Sequence, residues 1–207
     1  LRSIFLMAVA VAGRMGTVEL AAYQIGIGVW TFLAFAYDGI ETAGQALVAR
    51  ELGGRRSDEA RSAAGRVVAW AIGASVVLGA VTVLGHRVLA GLFSADDVVV
   101  AAAAGALLWV GFGQPIAGPA YALDGVLVGA GDLRFLAGAM LAVAVTFGAG
   151  AALPLSTGAG LWALLAPLPL STTVRPAPLS RRFRSGAWVR PAPPTRRVSP
   201  DPHPRTR

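Results

Sequence analysis

A few polar side chains embedded in apolar sequence could do chemistry: Asp38, Glu41 and Gln45, and, farther along, Tyr121 and Asp124. A carboxylate in such surroundings can bind a proton or a cation, because nothing else nearby competes for its charge. Asp38, Glu41 and Gln45 stand at i, i+3 and i+7, so on a helix they fall within about 60° of one another. A carboxylate at membrane depth costs at least ~2.5–3.5 kcal/mol and usually faces a bundle interior or a water-filled cavity. Hydration near a membrane surface, or pairing with Arg50, is the other reading of this face. Tyr121 lies three residues before Asp124 and shares its face. Pro115 and Pro119 precede both. Each proline removes a backbone donor, and the freed carbonyls and a bend are what a cation or proton site can use. An ordinary proline kink with a structural Asp is the alternative.

The rest of the chain limits what these groups can serve. Its 207 residues are 55% hydrophobic and 14% charged, with a mean hydropathy of +0.63. Soluble domains carry roughly a quarter charged residues. There is no Cys, and the two His stand at 86 and 203, so thiol chemistry and a Cys/His metal centre are excluded. No resident cofactor is expected. A Y-D pair at 37–38 and a G-A-G-D run at 129–132 match motifs of intramembrane aspartyl proteases. Asp38 falls inside an apolar run and Asp132 in a loop, so they do not meet at one depth. The chain is therefore expected not to be an enzyme. No Walker-type phosphate loop occurs either. The first residue is Leu with no basic segment before the first apolar run. No signal peptide is expected, and the chain is expected to begin inside a longer one.

The elements that must position these groups are membrane-spanning helices. Apolar runs at 3–12, 20–37 (continuing towards 49), 67–85, 98–113 (extended to about 128) and 135–155 read as five spans, and 159–170 as a short sixth broken by two prolines. A span needs ~20 such residues. Backbone groups in lipid must be satisfied within the segment, and barrel alternation is absent, so helices are the expectation. The stretch 50–66 holds five Arg, which places it, the 129–134 loop and the tail on the cytoplasmic side. The fold class expected is all-α, a polytopic six-helix bundle with its last helix truncated, in the inner (plasma) membrane.

The charge divides the chain. Residues 1–170 hold nine Arg and ten acids; residues 171–207 hold nine Arg, one acid and eight of the thirteen Pro. Residues 167–207 therefore read as a disordered cytoplasmic tail. Its Arg/Pro/Ser composition without Lys suits a frameshift in a GC-rich gene; a genuine basic tail at anionic lipid is the rival. No nucleic-acid partner is expected. A short echo links the two polar places: F-A-Y-D-G-I at 35–40 and Y-A-L-D-G-V at 121–126. Gly125 and Gly129 form a G-x-x-x-G, which permits close helix approach.

Three segments resemble the MATE (multidrug and toxic compound extrusion) family: D-G-I-E-T-A-G-Q-A-L-V-A-R-E-L-G (38–53), A-G-P-A-Y-A-L-D-G-V-L-V-G-A-G-D (117–132) and G-T-V-E-L-A-A-Y-Q-I (16–25). The spacing is similar to the DNA-damage-inducible protein F branch, and the resemblance covers residues 1–166. It implies the second six-helix lobe of a twelve-helix carrier, with the first lobe as a missing partner. It also implies antiport of small organic cations or drugs against H⁺ or Na⁺ across the bilayer. Asp124, with Tyr121, falls where some members place a second-lobe cation-site carboxylate. Asp38, Glu41 and Gln45 match the family motif near the start of helix eight, in a role as structural as transporting. Helix seven offers only Glu19, at its outer end, where some members carry a further acid. A membrane-inserted remnant and a lipid-linked saccharide flippase of the same superfamily are the alternatives. A flippase calls for basic residues in the cavity, whereas these are acidic.

Overall fold

Three long helices form over the apolar stretches that begin near residues 20, 67 and 98 in a computed structural model that describes residues 16–142, 144–145 and 175–189. They are α1 (Thr17–Gly53), α2 (Ser57–Phe93) and α3 (Asp97–Gly129). A short apolar helix, α4 (Leu133–Ala142), continues from α3. A fifth, α5 (Pro176–Arg184), comes from the Pro/Arg-rich region. The described residues are helix and turn with no strand. α1, α2 and α3 are each long and apolar enough to cross a membrane. The spans expected at 3–12 and 159–170, and most of that at 135–155, lie outside the described residues, which hold five helices, three of them long and apolar enough to span.

The long helices outrun their apolar cores. At 37, 37 and 33 residues they are about 50–55 Å long, against ~30 Å of hydrocarbon. The excess carries charge among helix formers such as Ala, Glu and Arg: S-D-E-A-R-S-A-A-G-R opens α2 at residues 57–66. Exposed apolar side chains on α2 run from Trp70 to Phe93, a band of roughly 35 Å by helical rise. The first turns of α2 therefore project beyond it.

The termini are closed by local chemistry. The Asp96 carboxylate caps α3, accepting from the backbone N–H of Val98 at 2.8 Å and of Val99 at 3.3 Å. α3 ends where Gly131, at φ 71, lets the chain turn and the Asp132 N–H returns to the Leu127 carbonyl at 3.0 Å. α1 ends by the same 6→1 bond, from Arg56 N–H to the Glu51 carbonyl at 2.9 Å. There the left-handed position is filled by Arg55 at φ 58.

α3 lies between α1 and α2, and small residues set the spacing. An added Cβ at Gly111 would stand 2.6 Å from Val83 Cγ2, and one at Gly118 would stand 2.8 Å from the Ala71 carbonyl oxygen, both on α2. At Gly125 and Gly129 it would meet the backbone oxygens of Glu41 and Gln45 on α1 at 2.2 Å and 2.4 Å. The G-x-x-x-G thus brings α1 and α3 to backbone contact. Lipid supplies no hydrophobic drive between helices, so close approach of this kind is the main source of association. Pro115 and Pro119 lie within a helix that continues from 97 to 129; neither ends it.

The expectation of a disordered tail does not extend to residues 175–189. Pro176 occupies the first helical position of α5, and three Arg fill its last turn, both favourable placements. Leu179 and Trp188 are buried with Leu123, Val126 and Leu127 of α3 and Ala139 of α4. Trp188 stacks on Phe183 at 5.8 Å, and its indole N–H donates to the Phe183 carbonyl at 3.0 Å. Composition averaged over the tail hides this one segment, where two large apolar groups find a surface to cover.

Candidate cation-binding site

The site is assembled where α1, α3 and the start of α5 meet, near the 53–57 end of the bundle. α3 contributes Asp124, which is 1% exposed, and the half-buried Tyr121 one turn earlier. α1 contributes Tyr37, whose ring lies 5.6 Å from that of Tyr121, inclined by 36°. The buried Tyr37 hydroxyl donates to Gln114 Oε1 at 3.0 Å, and Gln114 Nε2 donates to the Val110 carbonyl at 2.8 Å. A buried polar pair of this kind is tolerated in lipid only because each partner satisfies the other.

The occupant of the site is a guanidinium from the chain itself. Arg175, at the N-cap of α5, is ion-paired with the Asp124 carboxylate. Its guanidinium carbon lies 5.4 Å from the centre of the Tyr121 ring, within cation–π range. Among the described residues, neither Asp124 oxygen nor Arg175 Nε has a hydrogen-bond partner. Glu41 lies within electrostatic reach of both Arg175 and Asp38.

The acidic face of α1 divides. Glu41 is half-buried, whereas Asp38 and Gln45 are exposed. The structure thus brings Tyr121, Asp124 and Glu41 together with Arg175 and leaves Asp38 at the edge. The backbone at Gln45 supports Gly129, while its amide faces outward. Arg50 does not pair with this face. It binds Glu51 Oε1 at 2.7 Å, and Arg56 binds Glu51 Oε2 at 2.6 Å. The hydrogen bond that the Arg56 guanidinium donates to Glu51 holds it above its ordinary pKa.

Depth follows from the helix contacts. Gly118 stands level with Ala71 and Ser75 of α2, next to Trp70, where the exposed apolar band ends. Asp124 is six residues farther on, roughly 9 Å along the axis. The carboxylate therefore lies beyond the edge of that apolar band, towards the 53–57 end, and is enclosed by protein, so its charge is not buried in lipid.

A second ion pair holds α5 against the α3–α4 turn. Arg182 donates to Asp132 from Nε at 2.6 Å and from Nη2 at 3.2 Å, and its guanidinium lies 5.2 Å from the Phe135 ring centre. These bonds, accepted by the Asp132 carboxylate, hold the Arg182 guanidinium above its ordinary pKa. This occupies the second carboxylate of the aspartyl-protease motif pair. Sequence reasoning missed Arg175 and Arg182 as site neighbours, and Tyr37–Gln114 as a bonded pair. The available signal was the charge split, a basic tail facing a body with excess acid.

These features define a class: a helical protein of membrane-spanning elements with a carboxylate–tyrosine pair enclosed at the end of a three-helix packing unit. The MatE family profile matches residues 1–153, and the chain belongs to that family. Membership and the three long apolar helices together point to a multi-pass membrane protein. Curated relatives in Arabidopsis thaliana are similar to it. Protein DETOXIFICATION 43 is 33% identical over 138 residues, covering 67% of this chain and 26% of the relative. Protein DETOXIFICATION 42 is 30% identical over 139 residues, covering 67% and 27%. Protein DETOXIFICATION 45, chloroplastic, is 30% identical over 137 residues, covering 66% and 24%. The match spans about a quarter of each relative's length.

Proposed function

We propose that this chain forms part of a cation-coupled antiporter that exports small organic cations, with Asp124 as the carboxylate that exchanges H⁺ or Na⁺ for solute. The observation behind this reading is Asp124 itself, an almost fully buried carboxylate whose partner is a cationic group held over Tyr121. Glu41 adds negative potential from α1. A coupling ion shifts the balance of inward- and outward-facing states only through its differential affinity for them. Protonating Asp124 removes the charge that holds a cation, so proton entry and solute release are coupled at one group. On this reading residues 1–166 are the second lobe of a two-lobed carrier close to the DNA-damage-inducible protein F branch. The rocking interface then requires a first lobe, and Asp38 and Gln45 serve α1 packing and hydration more than binding. The membrane is the inner (plasma) membrane, with the 53–57 end cytoplasmic.

The test is to sequence the locus on both sides and express the full reading frame in an efflux-deficient host. Ethidium retention is then measured with and without Asp124→Asn. Efflux that is lost on substitution supports the reading. Efflux unchanged by Asp124→Asn, or a frame that is confined to these residues and exports nothing, removes it.

A further inference from the structure

We infer that the Asp124 site is a guanidinium seat, that Arg175 is its resident ligand, and that guanidinium- or amidinium-bearing solutes compete with the tail for it. The inference deepens the transport proposal and rests on its reading of Asp124 as the cation-binding carboxylate.

Three observations bear on it. First, the seat matches a planar cation with N–H donors. One carboxylate faces the guanidinium and an aromatic ring lies 5.4 Å from its carbon. One terminal N–H group of the guanidinium faces one Asp124 oxygen while its carbon stands over the ring, and a planar fork has a second donor to offer the other oxygen; an ammonium without N–H can offer only charge. Second, the seat is enclosed. The side chains of Asp124 and Arg175 are 2% and 17% exposed, so either group left alone would be a buried, uncompensated charge. Third, Arg175 arrives on a segment with its own anchors. Leu179 and Trp188 are buried on α3 and α4, and Arg182 binds Asp132 outside the seat. The tail is thus a tethered ligand, present at high local concentration. A free solute of the same chemistry must displace Arg175 before it can reach Asp124. Displacement leaves Leu179 and Trp188 with a weaker hold and loosens residues 175–189 as a unit.

The chain has no Cys, so a single introduced thiol reports on the tail without background. The full 207-residue chain carrying Leu179→Cys, in lipid nanodiscs, is labelled with a water-soluble maleimide. Labelling is expected to be slow in the parent and to rise about tenfold or more with Arg175→Gln, because breaking a buried ion pair is strongly destabilising. Benzamidine is expected to accelerate labelling of the parent, and tetramethylammonium, of equal charge but without N–H groups, to leave it unchanged. Arg175→Lys is expected to label faster than the parent, since the ammonium lacks the planar fork. A second reporter, Ala187→Cys, guards against disruption by the change at Leu179.

Labelling that ignores both Arg175→Gln and benzamidine at both reporters overturns the inference. So does equal acceleration by tetramethylammonium, which reduces the seat to a point charge. The two proposals fail separately. Loss of efflux with Asp124→Asn alongside unresponsive labelling sinks the guanidinium seat alone. Unchanged efflux with responsive labelling sinks the transport role of Asp124 and leaves a tail-docking site.

Discussion

Gly39 and Gly125 follow an Asp in the two halves of the short internal echo, yet their surroundings differ. A Cβ added at Gly125 would stand 2.2 Å from the Glu41 carbonyl oxygen, with the Glu41 carbonyl carbon and Cα at 2.8 and 2.9 Å; at Gly39 nothing lies within 4 Å. The obstacle at Gly125 is backbone, which no rotamer change can clear. Restoring ordinary contact needs α1 and α3 to part by about 1.3 Å. Overpacking of this kind costs ~1–3 kcal/mol, set against a helix-propensity gain for Ala over Gly of ~1 kcal/mol at most. Gly125→Ala is therefore expected to lose up to about 2 kcal/mol net. Gly39→Ala is expected to stay within about 0.5 kcal/mol of the parent or to gain slightly. The assay is reversible unfolding of each variant in mixed micelles, followed by far-ultraviolet circular dichroism. Equal stability of the two variants would falsify the claim that the G-x-x-x-G sets the α1–α3 distance.

Two further perturbations test the groups around the site. Tyr37→Phe deletes the donor to Gln114 Oε1 and leaves that oxygen buried without a partner, so a loss of ~0.5–1.5 kcal/mol is expected in the same unfolding assay; Gln114→Leu combined with Tyr37→Phe should recover part of it. Asp132→Asn and Arg182→Gln each weaken the hold of α5 on the α3–α4 turn. Each is expected to speed tryptic cleavage at Arg181 and Arg184, and the double variant should be no faster than the more affected single one if the two groups act only on each other.

The membrane-spanning helices were legible from residue type alone. Apolar runs at 20–37, 67–85 and 98–128 exceed what a soluble helix carries, and in lipid such runs have no alternative to helix. Their ends were not legible. Charged helix formers such as those at 57–66 extend a helix beyond the apolar band, and hydropathy does not register them. The i, i+3, i+7 pattern placed Asp38, Glu41 and Gln45 on one side of α1, as helical geometry requires. Which of them faced protein depended on where α3 crossed, and that depended on Gly125 and Gly129.

Residue types and their order by themselves determined the class of protein, the apolar helices, the acid-poor tail and the candidacy of Asp124 and Tyr121. All of these follow from local chemistry or short-range periodicity. The tertiary structure decided that Asp124 meets Arg175, some fifty residues away, that Tyr37 donates to Gln114, and that Leu179 and Trp188 cover α3 and α4. Such pairings depend on which surfaces are left open once α1, α2 and α3 have packed. No periodicity within one segment encodes that, because the matching partner belongs to another part of the chain.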